Sequence, residues 1–219
     1  MSLPLEGVVL ALDVDGVLLD PTAGGRGGWS AVVAARYGVD ARHLQSIFFA
    51  RAWADVVVGR TAIEPALAAA LEELAWSMTA EDLLSSWFEA DSVVDEEVAE
   101  AVRSWADDGA RIVLVTNQEH RRARFLEEHL GASLPISAMA YSAALGYVKA
   151  EPAFFPAACR RLGIDENDDT VVFVDDSREN VGAARRFGWT AVPFLRDGDW
   201  RAEIDAALTA AARRRLPQS

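Results

Sequence analysis

Short apolar runs and longer amphipathic stretches alternate along most of this chain. Five runs read as strands: Val8–Asp13, Arg111–Thr116, Ala138–Ser142, Thr170–Asp175 and Thr190–Leu195. They are five or six residues long, rich in Val and Ala, and apolar on successive positions, the pattern of strands covered on both faces. Between the later runs, apolar residues recur every three or four positions, which predicts helices over Val98–Asp107, Arg121–Leu130, Pro152–Leu162 and Glu179–Phe187. Gly109, Gly131, Gly163 and Gly188 follow these stretches, where a left-handed cap favours glycine. Strands alternating with helices predict an α/β fold with a doubly wound parallel sheet of the Rossmann-like kind.

The interval from Pro21 to Asp91 breaks this rhythm. It has no convincing strand, and its apolar positions follow helical spacing, as in Trp29, Val32 and Val33, then Leu44, Ile47 and Phe48. Pro65 suits a first helical turn, and Thr79 with Asp82 forms a capping-box pattern ahead of Leu83 and Leu84. These residues are expected to form a separate helical insertion over 21–91, leaving 1–20 and 92–219 as the α/β core. Four of the seven tryptophans, Trp29, Trp53, Trp76 and Trp87, fall in the insertion and are expected to pack its small core. The run Gly24-Gly25-Arg26-Gly27-Gly28 lacks the Gly-Lys-Ser/Thr ending of a phosphate loop and reads as a flexible hinge.

With 219 residues, 51% of them hydrophobic and 25% charged, the chain is long enough for a substantial core and ordinary in composition. The single cysteine, Cys159, excludes an internal disulfide and suits a reducing compartment. Residues 1–7 lack the basic start and apolar centre of a secretory signal, and no apolar stretch reaches membrane-spanning length, so a cytoplasmic protein without a membrane partner is expected. A net charge of −13 argues against nucleic acid as the main partner. An anionic substrate then requires a local cation to reverse the field.

Candidate chemistry lies at the strand ends. The first apolar run closes in Asp13-Val14-Asp15-Gly16, and two carboxylates so placed can divide nucleophilic attack from proton transfer. The same residues could form only a turn, and Val17 at the fifth position cannot serve a calcium loop. The second run ends in Thr116-Asn117 before a helix start, an arrangement suited to phosphate oxygens, although Thr116 could simply cap that helix. Lys149 precedes a helix that Pro152 is expected to open. The fourth run ends in Asp175-Asp176-Ser177, with Asn180 one turn on; adjacent carboxylates repel unless a hard cation such as magnesium offsets them. His43, His120 and His129 lack ligand spacing and are expected at the surface.

Asp13-Val14-Asp15-Gly16-Val17, Thr116-Asn117, Lys149 with Glu151-Pro152, and Phe173-Val174-Asp175-Asp176-Ser177-Arg178-Glu179-Asn180 together resemble the four ordered motifs of the haloacid dehalogenase-like (HAD) hydrolase superfamily. The insertion resembles that family's first type of helical cap, and Val58-Gly59-Arg60-Thr61 is similar to its epoxide-hydrolase-like phosphatase branch. The resemblance implies a magnesium-dependent phosphatase acting on a small phosphorylated metabolite, with Asp13 as nucleophile and Asp15 as acid and base. Thr116, Asn117 and Lys149 would hold the phosphoryl group beside Gly16. The ion would bind Asp13, the Asp15 carbonyl, Asp176 and, directly or through water, Asp175, with Asn180 orienting a water or Lys149. Arg26, Arg51, Trp53 and Arg60 are candidates to contact the leaving group. A sugar phosphomutase, a 2-haloacid dehalogenase and a non-catalytic regulatory member are the alternatives, and the residues do not settle the oligomeric state.

Overall fold

The computed structural model describes residues 4–20, 28–165 and 169–215. Its strands are β1 (Val8–Leu12), β2 (Arg111–Thr116), β3 (Ile136–Tyr141), β4 (Thr170–Asp175) and β5 (Thr190–Pro193). All pair in parallel, in the order β3-β2-β1-β4-β5. The third strand begins two residues earlier than its apolar run suggests, because Ile136 pairs with Ile112 and Ser137, set in a register shift, donates from its Oγ to the Ile112 carbonyl.

Period-two alternation sorts the strand residues onto two faces. Leu10, Leu12, Ile112, Leu114, Val172 and Val174 face one core cluster, and Val9, Ala11, Val113, Val115, Val171 and Phe173 face another. Between β1 and β2 lie α1 (Gly28–Tyr37), α2 (Arg42–Leu44) continued by a π turn over Gln45–Phe49, α3 (Trp53–Val56), α4 (Ile63–Glu73), α5 (Ala80–Ala90) and α6 (Glu96–Asp107). The later helices are α7 (His120–Gly131), α8 (Ser142–Leu145), α9 (Phe154–Leu162), α10 (Arg178–Phe187) and α11 (Trp200–Arg215). Residues of α6, α7 and α11 cover the first face, and those of α9 and α10 the second. The result is a three-layer, Rossmann-like α/β core. None of its helices, among the described residues, is long and apolar enough to cross a membrane.

Three local readings need correction. Gly131 is the last residue of α7 rather than its left-handed cap, whereas Gly109, Gly163 and Gly188 do take positive φ. Pro152 does not open α9: it lies in the turn where Phe154 N–H bonds to the Glu151 carbonyl, so the helix starts at Phe154. Thr116 does not cap α7 either, because the Glu119 carboxylate accepts from the Arg121 and Arg122 amides. The capping box of Thr79 and Asp82 is present.

Helices α1 to α5 build a third apolar cluster around Phe48, Leu67, Leu71, Leu83 and Leu84. The chain enters and leaves this region at one place, where Leu19 bridges Val94 and Asp20 N–H bonds to the Val93 carbonyl. Ser142 on the core donates to the Val57 carbonyl at 2.6 Å, and Gly59 (φ +74°) lies so near that an added Cβ would fall 2.5 Å from the Ala143 carbonyl oxygen. Close packing there demands glycine.

Candidate active site

The topology reverses between β1 and β4, and in open α/β sheets a crevice forms beyond the carboxyl ends of strands at such a point. Asp13 follows β1 there, and Asp175 ends β4. Lys149, only 1% exposed, reaches between them from the segment before α9: its Nζ is 2.6 Å from an oxygen of each carboxylate. A buried ammonium is tolerated only when paired, and here two carboxylates share it.

Each member is held by neighbours. The Asp13 carboxylate accepts from the Val14 amide at 2.7 Å. Asp175 accepts from the Ser177 amide at 2.8 Å and from Asn180 Nδ2 at 3.1 and 3.2 Å. Asn180 therefore steers Asp175, and Lys149 only through it. Asn117 Oδ1 accepts the Lys149 amide at 2.9 Å, tying the end of β2 to the lysine's backbone. Thr116, the last residue of β2, is buried beside them.

Asp176 completes the cluster, with one oxygen each of Asp13, Asp175 and Asp176 lying within 4.8 Å of one another. Gly16 makes this possible, because its φ of +82° and missing Cβ leave room for Asp176 Oδ2, which would otherwise lie 2.3 Å from that Cβ. Burial pushes the Asp13 carboxyl up to about 7, against the pull of Lys149 and with the help of Asp175. Burial and then repulsion from Asp175 raise Asp176. For Lys149, burial opposes the charge, but attraction to Asp13 and Asp175 outweighs it and lifts the ammonium above its ordinary value. Three carboxylates against one ammonium leave a negative surplus that a divalent cation would neutralise; oxygen ligands of this kind suit a hard ion.

Asp15 stands apart from the cluster, its side chain 56% exposed, and lines a cavity of about 370 Å³ between core and insertion. Gln118 Nε2 donates to one of its oxygens at 2.5 Å, and Arg122 lies 3.6 Å from the other. Arg122 is itself buried between the Phe88 and Phe125 rings, donating to the carbonyls of Phe88 and Asp91 and to Ser92 Oγ. Gln118 and Arg122 escaped sequence reasoning. For Arg122 a signal existed, since it shares an i, i+4, i+8 stripe with buried Leu126 and Leu130.

The anticipated leaving-group contacts divide. Trp53 lines the cavity, together with Trp29 and Trp87. Arg51 and Arg60 are not among its lining residues: they pair with Glu73 and Asp55 on the exposed surface. Arg26 lies outside the described residues. Trp76 packs against the insertion's apolar cluster. All three histidines are exposed, and Cys159 is buried in the core.

A sequence model of the haloacid dehalogenase-like hydrolases matches residues 9–188. No curated protein matches the chain. Among solved structures, a HAD family enzyme from Bacteroides thetaiotaomicron in complex with magnesium and inorganic phosphate superposes with a TM-score of 0.70 at 15% identity, covering 89% of this chain and 97% of that one. A predicted HAD-like family hydrolase from Porphyromonas gingivalis gives 0.67 at 16% identity, over 93% and 98% of the two chains. A dehalogenase gives 0.61 at 20% identity, over 87% and 85%. At these identities the likeness is one of fold.

Proposed function

The chain belongs to the haloacid dehalogenase-like hydrolases, and from that premise we propose that it is a magnesium-dependent phosphatase of a small phosphate monoester. The observation that carries this reading is the surplus of clustered carboxylates around one buried lysine, Asp13, Asp175 and Asp176 against Lys149. A phosphate dianion can enter such a site only with a cation present. A halide leaves without taking a proton and needs no metal, so a dehalogenase has no use for Asp15 or for the surplus charge.

In this reading an Asp13 oxygen attacks phosphorus, the bond to the ester oxygen breaks, and Asp15 gives that oxygen its proton. Water then attacks the aspartyl-phosphate, Asp15 takes back a proton, and inorganic phosphate departs as Asp13 is regenerated. Thr116 and the Asn117 amide hold phosphoryl oxygens, and Lys149 offsets the charge of Asp13 and the phosphate. Asp13, the Asp15 carbonyl and Asp176 would hold magnesium. Asp175, whose oxygens already serve Lys149, Ser177 and Asn180, would act through water. Magnesium held there would supply charge neutralisation to the phosphoryl group. Residues 21–91 would be the first-type helical cap, moving on the Leu19–Val94 bridge to close the cavity over substrate.

The test is release of inorganic phosphate from a panel of phosphorylated metabolites, with magnesium and with chelator. Wild type should require magnesium, and Asp13→Asn should lose at least about a thousandfold in rate. Equal turnover by the variant sinks the nucleophile assignment. Halide release from a 2-haloacid in chelator favours the dehalogenase, and isomerised sugar phosphate without free phosphate favours the mutase.

A further inference from the structure

The cavity beside Asp15 has an uneven wall. Its insertion side is a continuous aromatic sheet: Trp29 stacks on Trp87 at 5.0 Å, Phe49 meets Trp87 edge-on at 5.5 Å, and Trp53 lies 5.5 Å from Phe49. All four side chains are only partly buried, so each keeps open surface.

Most of the polar groups around the same cavity are already engaged, Gln45 being the exception. Asp91 accepts from the Trp29 amide at 2.9 Å and from Trp87 Nε1 at 3.1 Å. Glu119 caps α7, and Asn117 holds the Lys149 amide. Arg122, the one cationic side chain among the described lining residues, serves two carbonyls, Ser92 and Asp15. What remains to receive a guest is ring surface and the neutral side-chain amide of Gln45.

We infer that the alcohol released by this site is an aromatic one, a single- or double-ringed group lying against Trp29, Phe49, Trp53 and Trp87. The inference rests on the phosphatase reading and names the class of its substrate. A sugar would bring several hydroxyls to a wall that is mostly ring, with one uncommitted side-chain amide, Gln45, to meet them. A carboxylate on the leaving group would need a cation, and Arg122 is committed. A quaternary ammonium needs rings spaced around it, whereas these touch one another and form a wall rather than a box. An aromatic ring needs only offset or edge contact with such a wall. The cavity, about 370 Å³, falls in the range of small-ligand pockets.

The experiment compares kcat/KM, in magnesium, for four esters of primary alcohols, so that leaving-group acidity stays roughly level: 2-phenylethyl phosphate, glycerol phosphate, phosphocholine and ethyl phosphate. Wild type should favour 2-phenylethyl phosphate at least tenfold over each of the others. In Trp53→Leu, the ratio of 2-phenylethyl to ethyl phosphate should fall at least fivefold, whatever the variant's absolute rate. Glycerol phosphate or phosphocholine turned over as fast as the aromatic ester overturns the aromatic assignment and leaves the phosphatase standing. Phosphate release from none of the four, with magnesium present, brings down both. The wild-type comparison decides the matter even if the variant fails to fold.

Discussion

Replacing Lys149 by methionine keeps an unbranched side chain one atom shorter and removes its charge. Asp13 and Asp175, 6% and 0% exposed, would then face each other with no ammonium 2.6 Å from each. Removing one partner of a buried ion pair costs roughly 3–5 kcal/mol, because the remaining charge is left without compensation. For a chain of this size that corresponds to a fall in Tm on the order of 10 °C. The pH dependence follows from Asp13. Its folded-state carboxyl already sits at about 7, above the ordinary 3.8, so between those values the folded state binds a proton that the unfolded chain does not. Stability from this group therefore falls as pH rises through that window. Without Lys149 one of the influences lowering Asp13 is gone, and the window extends to higher pH. The deficit of Lys149→Met against wild type should be largest near pH 8 and should narrow towards pH 5. Urea denaturation in chelator, read at constant m, measures it. A deficit under about 1 kcal/mol at pH 8, or one that does not narrow on acidification, would refute the account of Lys149 as the neutralising charge of a buried carboxylate pair.

Two further substitutions probe the cation and the contact between insertion and core. Gly16→Ala should put a Cβ 2.3 Å from Asp176 Oδ2 at a φ of +82°; about 1–2 kcal/mol of backbone strain should accompany an at least tenfold weaker magnesium midpoint, followed by magnesium-dependent Tm, and an unchanged midpoint excludes Asp176 as a ligand. Arg122→Met should cost about 1–3 kcal/mol in urea unfolding by stranding the Asp91 carbonyl and leaving the Phe88 carbonyl with Ser92 Oγ alone, and a loss within about 0.5 kcal/mol would show that Arg122 does not fasten the insertion to the core.

The parts of the fold and candidate site legible in the sequence are those whose direction a strand dictates. An apolar run buried on both faces must stop where the chain leaves the sheet, so the polar residues that close the runs of β1, β2 and β4 are delivered to one edge. Asp13, Thr116 and Asp175 could therefore be placed from order alone. Lys149 and Asp176 lie one step further out: the repulsion between adjacent carboxylates pointed to Asp176, and a place ahead of a helix together with the motif order pointed to Lys149. What stayed hidden depends on partners distant in sequence. Arg122 sits among Arg121 and Arg124 and looks solvated until Phe88, Asp91 and Ser92, more than 29 positions earlier, close around it. Arg51 and Arg60 invert that case: they looked available, and Glu73 and Asp55 occupy them. Of the aromatic wall only Trp53 was anticipated, and the rest was hidden for a third reason. The helices over Arg42–Val56 are three to five residues each, too short for a periodic face, so Phe49 and Trp53 signal burial without saying towards what. On the proposed reading, the chemistry of this site is encoded locally at the strand ends, and its choice of leaving group in contacts between segments. Variants at strand ends should accordingly change kcat across all substrates alike, whereas variants in the insertion should reorder substrates; uniform loss from Trp53→Leu would break that division.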